Sequence, residues 1–155
     1  MSRSETTTYR LARLEDLDAL VALMKELIDE LGPHDQNQTV KGRLHGDLKA
    51  ALASDDVVLY LACVDGEVVG LSRGDILRTD PIFRLRDDHR CGYVDQMYVQ
   101  TPYRRKGIGR ALLALCEDWF RSHGIEHCIL HAAVRAIRFY ARAGYQSNRE
   151  MFKRL

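Results

Sequence analysis

The chain has 155 residues, of which 46% are apolar and 29% charged, and its net charge is +1 at pH 7. This length predicts one domain, residues 1–155, with a complete core. The near balance of basic and acidic side chains argues against a nucleic-acid or membrane-surface binder, because such proteins carry an overall basic excess. A basic site must therefore be local.

Apolar periodicity and turn residues predict elements in the order β-α-α-β-β-β-α-β-α-β. In chain order they are a strand at 7–12, helices at 14–31 and 40–54, strands at 57–64, 67–77 and 91–99, a helix at 107–123, a strand at 125–132, a helix at 134–143 and a strand at 149–155. Gly32-Pro33 ends the first helix. Asp65-Gly66 predicts the tight turn of a hairpin. The polar residues 34–39 and the charged residues 78–90 predict loops.

The hairpin strands come first and the helix-linked strands later, so the sheet should combine antiparallel and parallel pairs. The predicted fold class is therefore α/β in the broad sense, with an α+β mixed sheet rather than a purely parallel one. We expect a twisted central sheet flanked by helices.

The cysteines and the N-terminus bear on the cellular compartment. The four cysteines are Cys63, Cys91, Cys116 and Cys128. They form no C-x-x-C pair and no metal-ligand spacing with a histidine, so we expect buried free thiols and no metal site. The first residues lack the apolar stretch of a signal peptide, and no apolar run is long enough to span a membrane. These features predict a cytoplasmic protein.

The stretch "YRRKGIG", residues 103–109, joins the strand at 91–99 to the next helix. The first turn of a helix has free N–H groups and attracts anions, and glycine lets a phosphate approach the backbone. The stretch therefore indicates a phosphate site. A tight turn with solvated cations is the alternative, and the spacing matches neither the P-loop nor the Rossmann glycine pattern.

Two stretches together resemble a known family. Residues 104–109, "RRKGIG", fit the [Q/R]-x-x-G-x-[G/A] signature of the GNAT superfamily of acyl-CoA-dependent N-acyltransferases. Residues 136–145, "AIRFYARAGY", resemble that family's second motif, F-Y-x-x-x-G-[F/Y]. The element order also agrees over essentially the whole chain. The resemblance implies a single GNAT-like domain, an enzyme that transfers the acetyl group of acetyl-CoA to a primary amine by direct attack, without a metal.

The resemblance also implies roles for individual residues. The backbone of Met97 and Val99 would bind the pantetheine arm, and the N–H groups from Arg104 to Arg110 would wrap the pyrophosphate. The Met97 N–H would also stabilise the oxyanion, and Tyr140 would act as general acid near the thioester sulfur. The cofactor-binding residues implied are Met97, Tyr98, Val99, Arg104, Arg105, Lys106, Gly107, Ile108, Gly109, Arg110, Ala136 and Tyr140.

Asp95 is the candidate general base for the acceptor ammonium. In a regular strand it shares a face with Tyr93, Met97 and Val99, although a bulge would change that face. The alternative is a substrate-orienting or salt-bridged carboxylate. For Tyr140, the alternative is aromatic packing alone.

Ala133 departs from the family, which often has Asn at this position. His131 could assist in its place, with a structural role as the alternative. A non-catalytic acyl-CoA-binding or regulatory module is the second interpretation of the whole chain, but Tyr140 and Asp95 favour an enzyme. A different phosphate-ligand binder is a third, and it requires both motif matches to be accidental.

The sequence does not identify the acceptor, which could be a small amine, an amino acid, an antibiotic or a protein amine. It does not fix the oligomeric state either, and a homodimer is one alternative. Two interpretations of the charged loop stay open: it borders the acceptor site, or it is simply solvated. Its charged residues are Arg84, Arg86, Asp87, Asp88 and Arg90.

Overall fold

The protein is described from a computed structural model that covers residues 5–32, 37–78, 89–148, 151 and 153–155. Over these residues the sheet has the strands β1 (Thr7–Leu11), β2 (Val57–Val64), β3 (Glu67–Arg78), β4 (Arg90–Val99) and β5 (Cys128–Leu130). The helices are α1 (Leu17–Glu30), α2 (Asn37–Leu52), α3 (Ile108–Ser122) and α4 (Ile137–Arg142). No described helix is long and apolar enough to cross a membrane.

The strands lie in the order β1-β2-β3-β4-β5. The pairs from β1 to β4 are antiparallel, and β5 pairs with β4 in parallel. Asp65 and Gly66, both at positive φ, form the tight turn between β2 and β3. The sheet is therefore mixed, as predicted.

Helices cover both faces of the sheet. Helices α1 and α2 pack on one face, where Leu20, Leu61 and Leu71 are fully buried. Helix α3 packs on the other face through Leu113, Cys116 and Phe120. A Cβ at Gly92 of β4 would lie 2.7 Å from the Phe120 ring, so glycine at this position lets α3 approach the sheet.

Some element boundaries differ from the predicted ones. Residues 14–16 form a 3-10 turn, because the Asp16 carboxylate binds both the Arg10 guanidinium and the Arg13 N–H at the start of α1. Helix α2 begins at Asn37, inside the predicted polar loop.

The predicted C-terminal strand at 149–155 is absent at residues 151 and 153–155, whereas residues 149, 150 and 152 lie outside the described part. Met151 and Leu155 are fully exposed, so neither of these two apolar side chains packs against the sheet. The prediction of buried free thiols is confirmed for Cys63, Cys91 and Cys116, whereas Cys128 is free but only half-buried.

Candidate active site

A cleft opens where β4 and β5 separate. The two strands pair only from Gly92 to Val94 on β4, opposite Cys128–Leu130, although β4 continues to Val99. The Gln100 N–H donates to the Val69 carbonyl of β3 at 2.9 Å. Because backbone groups alternate sides along a strand, Met97 and Val99 direct their N–H and C=O groups away from β3, into the cleft. The family resemblance predicts that this backbone edge binds the pantetheine arm.

The loop between β4 and α3 supplies a row of backbone donors. Gly107 has φ +83° and lies immediately before Ile108, the first residue of α3. Within the described part of the chain, the N–H groups of residues 105–110 donate no hydrogen bond, whereas the Arg104 N–H, which the resemblance also assigns to the pyrophosphate, donates to the Thr101 carbonyl at 3.3 Å. These free donors and the positive end of the α3 dipole fit an anion such as the pyrophosphate of coenzyme A.

The cations of this loop divide into two groups. Arg104 donates to the Val99 carbonyl at 2.7 Å and to Glu30, and Lys106 pairs with Glu5 at 2.7 Å. Arg105 and Arg110 are exposed, and neither makes an ion pair with a described residue. Their side chains are therefore available to a phosphate, whereas the Arg104 side chain has a structural partner.

Glu30, at the end of α1, connects the two walls of the cleft. Its carboxylate accepts hydrogen bonds from Arg104 on the β4 side and from Arg135, just before α4, at 2.6 Å each, and from the Tyr98 hydroxyl at 3.3 Å. Burial raises the pKa of Glu30, but hydrogen bonding from Arg104 and the charges of both arginines outweigh this effect and lower the pKa. Sequence reasoning missed Glu30, because its arginine partners lie 74 and 105 positions away.

Tyr140 lies on α4, and its ring packs edge-on against Phe139 and Tyr145, with centroids 5.0 and 5.7 Å away. Its hydroxyl has no hydrogen-bond partner among the described residues. Burial raises the pKa of the Tyr140 hydroxyl, so it holds its proton at neutral pH. The residue therefore combines aromatic packing with a hydroxyl that is free to donate.

Asp95 is the extra residue of a β-bulge in β4. Arg73 of β3 lies opposite Gln96, and Gly74 lies opposite Val94, so Asp95 has no partner across the ladder. The bulge places Asp95 on the α1/α2 face, with Arg73. The expectation that Asp95 shares a face with Met97 and Val99 is therefore wrong, because one inserted residue reverses the alternation.

We name Arg73, Asp75 and Asp95 the charged floor. Arg73 donates two hydrogen bonds to Asp75, at 2.7 and 2.8 Å, and its Nε lies 3.5 Å from Oδ2 of Asp95. Burial is the main cause that raises the pKa of Asp95; Asp75 adds to the increase, and Arg73 opposes it. A carboxylate with a raised pKa suits the uptake of a proton.

His131 follows β5 and lies beside the charged floor. Its Nδ1 is 2.9 Å from the hydroxyl of Tyr93, the residue opposite Asp75 in the ladder. Ala133 precedes a 3-10 turn, and its carbonyl accepts the N–H of Ala136, the residue before α4.

Of the charged-loop candidates, only Arg90 is described, at the start of β4; Arg84, Arg86, Asp87 and Asp88 lie outside the described residues. Among the described residues, no cluster of three or more side chains could hold a metal ion.

Comparison with known proteins gives a consistent result. The model of the acetyltransferase (GNAT) family matches residues 20–145. An aminoglycoside N(6')-acetyltransferase type 1 from Stenotrophomonas maltophilia is 33% identical in an alignment of 110 residues, and the match covers 60% of this chain and 66% of that protein. The chain thus spans just under two thirds of this relative's length.

Solved structures share the fold. A GCN5-related N-acetyltransferase from Ralstonia eutropha JMP134 superposes with a TM-score of 0.86 at 24% identity, over 97% of this chain and 99% of that one. A predicted acetyltransferase from Clostridium acetobutylicum, solved with acetyl-CoA, has a TM-score of 0.84 at 20% identity, over 97% and 96% of the two chains. The predicted fold class is confirmed.

Proposed function

The chain belongs to the acetyltransferase (GNAT) family, and from this premise we propose that it acetylates the primary amine of a small cationic acceptor, specifically the 6'-amine of an aminoglycoside. Family membership confirms the predicted class of enzyme, an N-acetyltransferase with acetyl-CoA as co-substrate. The acceptor and the roles of the residues are the proposal.

The charged floor carries the proposal on the acceptor. Two carboxylates, Asp75 and Asp95, lie beside the cleft, on the opposite face of the sheet from α3, and a single guanidinium lies between them. Their charges attract a cationic amine and disfavour an anionic acceptor. The identity to an aminoglycoside N(6')-acetyltransferase supports the same class of acceptor.

On the acceptor side, Asp95 removes a proton from the ammonium group of the acceptor. The resulting neutral amine has a free lone pair and can attack a carbonyl carbon, whereas an ammonium group has no free lone pair and cannot attack. Asp95 is 30% exposed, so it returns the proton to solvent after each turnover.

On the donor side, the free N–H groups of residues 105–110 bind the pyrophosphate, and the backbone of Met97 and Val99 aligns the pantetheine arm in the cleft. Acetyl-CoA, when bound, supplies the acetyl thioester. The Met97 N–H stabilises the negative charge that develops on the carbonyl oxygen as the C–N bond forms. Tyr140 donates its proton to the sulfur as the C–S bond breaks, and the second amine proton replaces it.

A non-catalytic acyl-CoA-binding module would also need the loop between β4 and α3, residues 104–110, which we name the phosphate loop. It would need neither a free Tyr140 hydroxyl nor a partly exposed Asp95 at the bulge. We therefore favour the enzyme. We also propose a cytoplasmic location. The free thiols support it, because cysteines form disulfides in oxidising compartments such as the extracellular space and the periplasm.

The experiment compares two aminoglycosides that differ only in an amine or a hydroxyl at the 6' position. With acetyl-CoA present, we expect thiol release and a product heavier by one acetyl group for the 6'-amine compound alone. Release with a lysine peptide or a free amino acid, but with neither aminoglycoside, would contradict the proposed acceptor.

The Asp95→Asn variant tests whether Asp95 is the general base. It should keep acetyl-CoA binding but lose on the order of 100-fold in kcat, the lower end of the contribution of a general base. Thiol release by this variant at the wild-type rate would exclude Asp95 as the base.

A further inference from the structure

We infer that Arg73 and Asp75 are positioning residues that hold Asp95 at the bulge and set the lowest pH at which the enzyme works. The inference rests on the proposed function only in taking Asp95 as the base. Neither β3 residue belongs to the sequence motifs of the family resemblance.

The geometry of the charged floor couples the three side chains. Asp75 binds the Arg73 guanidinium through both Nε and Nη2, so the orientation of the guanidinium is fixed. The same Nε faces Asp95 at 3.5 Å. Arg73 and Asp75 are only 18% and 15% exposed, so solvent screens their charges less than it screens those of surface ion pairs.

The two β3 residues act on Asp95 in opposite directions. The positive charge of Arg73 stabilises the Asp95 carboxylate, and the negative charge of Asp75 destabilises it. Asp75 also competes with Asp95 for the same guanidinium. Removing either β3 charge should therefore shift the proton affinity of Asp95, and the two shifts should have opposite signs.

Other charged and titratable groups surround the floor within the described part of the chain. From α2, the charge of Asp47 acts on Arg73. On β4, Tyr93 lies two residues before Asp95, and His131 from the end of β5 bonds to its hydroxyl. Because a histidine and a tyrosine lie this close to Asp95, a direct measurement on Asp95 is needed beside the rate profile.

The direct measurement is a carboxyl ¹³C NMR titration of the ligand-free enzyme labelled at aspartate, with the Asp95 signal assigned by its loss in Asp95→Asn. Arg73→Gln should raise the pKa of Asp95, and Asp75→Asn should lower it. We expect about one pH unit each way, the lower end of the range for a charge within about 6 Å.

The pH dependence of kcat/KM gives the second measurement. Asp95 accepts a proton only when it is ionised, so the rate falls as the pH drops through its pKa. Arg73→Gln should move this fall to higher pH, Asp75→Asn should move it to lower pH, and Arg73→Lys, which keeps the charge, should restore at least half of the shift.

Arg121→Gln is the matched control for charge. Arg121 pairs with Asp118 on the exposed surface of α3 at 2.7 Å, so its removal should change neither the titration nor the rate profile. Titration shifts of the same sign in the two β3 variants, or no shift in either, would overturn the inference whatever their activity. Opposite shifts in the titration with an unchanged rate profile would support the coupling and refute Asp95 as the base.

Discussion

The phosphate loop and the charged floor lie on either side of one cleft but are built differently. The loop is a continuous segment, residues 104–110, in which residues 105–110 offer backbone N–H groups whose direction depends on chain conformation. The floor is assembled from two strands and acts through side-chain charges. Backbone N–H groups suit the binding of acetyl-CoA, the co-substrate of every turnover. Side chains can be replaced by substitution, so they suit the recognition of a particular acceptor. The difference predicts that variants of the two regions change different kinetic constants.

The largest expected effect comes from a side chain. Tyr140→Phe keeps the ring that packs against Phe139 and Tyr145 but removes the hydroxyl. We expect kcat to fall by about 100-fold, because a general acid contributes at least this much. The KM for acetyl-CoA should change less than threefold. Steady-state kinetics with varied acetyl-CoA measures both constants.

Tyr145→Phe is the matched control, because it removes a hydroxyl that bonds Glu117 at 2.9 Å and Cys128 at 3.1 Å, on the far side of the aromatic cluster. It should lower stability by about 1 kcal/mol, as for a typical hydrogen bond, and leave kcat unchanged. An equal loss of kcat in both variants would assign the effect to packing.

The same contrast explains what the sequence could predict. The turn into α3 can be predicted from the sequence because Gly107 and its neighbours encode a local conformation, which needs no knowledge of distant residues; that this loop binds a phosphate stays a prediction. The bulge at Asp95 could be named only as an alternative, because its position depends on the register of β4 against β3. Arg73 and Asp75 carried no signal at all.

The fold shows a similar division. The strands from β1 to β4 and all four helices appear at or near their predicted positions, because apolar periodicity and turn residues are local. The C-terminal strand is predicted from the same kind of local pattern, yet residues 151 and 153–155 form no strand, and Met151 and Leu155 are fully exposed. Whether a strand forms at the edge of a sheet depends on contacts with residues far away in the sequence.

A backbone change should have the second largest effect. Gly107→Ala places a side chain at φ +83°, a conformation that costs a non-glycine residue about 1–2 kcal/mol. The loop should shift, its N–H groups should lose their alignment, and the KM for acetyl-CoA should rise about tenfold. In contrast to Tyr140→Phe, kcat should stay within threefold of the wild type. Calorimetric titration with coenzyme A gives an independent affinity.

Gly109→Ala tests whether conformation or mere volume matters. A Cβ at Gly109 would meet the Phe139 ring at 3.5 Å and the end of the Met97 side chain at 3.8 Å, both ordinary contacts, and alanine favours the helix in which residue 109 lies. This variant should keep its affinity for coenzyme A and melt slightly higher. If Gly109→Ala weakens binding as much as Gly107→Ala does, the special φ at residue 107 is not the cause.

The smallest effect should come from Glu30, where side-chain charge supports the donor side. Glu30→Gln weakens the ion pairs with Arg104 and Arg135, so the KM for acetyl-CoA should rise two- to fivefold with kcat unchanged. Glu26→Gln is the control, because Glu26 lies on the same helix and accepts hydrogen bonds from the Gln100 amide, at 3.2 and 3.3 Å, but makes no ion pair with a described residue. It should leave both constants unchanged.

The pH dependence of stability separates a charge effect from a loss of packing at Glu30. Its pKa is lower in the folded chain than the ordinary value of 4.5, so the carboxylate stabilises the fold above pH 4.5, and this contribution disappears as the pH falls through the folded pKa. At pH 7, Glu30→Gln should therefore lower Tm by about 2–4 °C, as for roughly 1 kcal/mol in a chain of this length. The difference in Tm from the wild type should shrink steadily below pH 4.5. A difference that stays constant down to pH 3 would mean that the shape of the Glu30 side chain, rather than its charge, joins the two walls of the cleft.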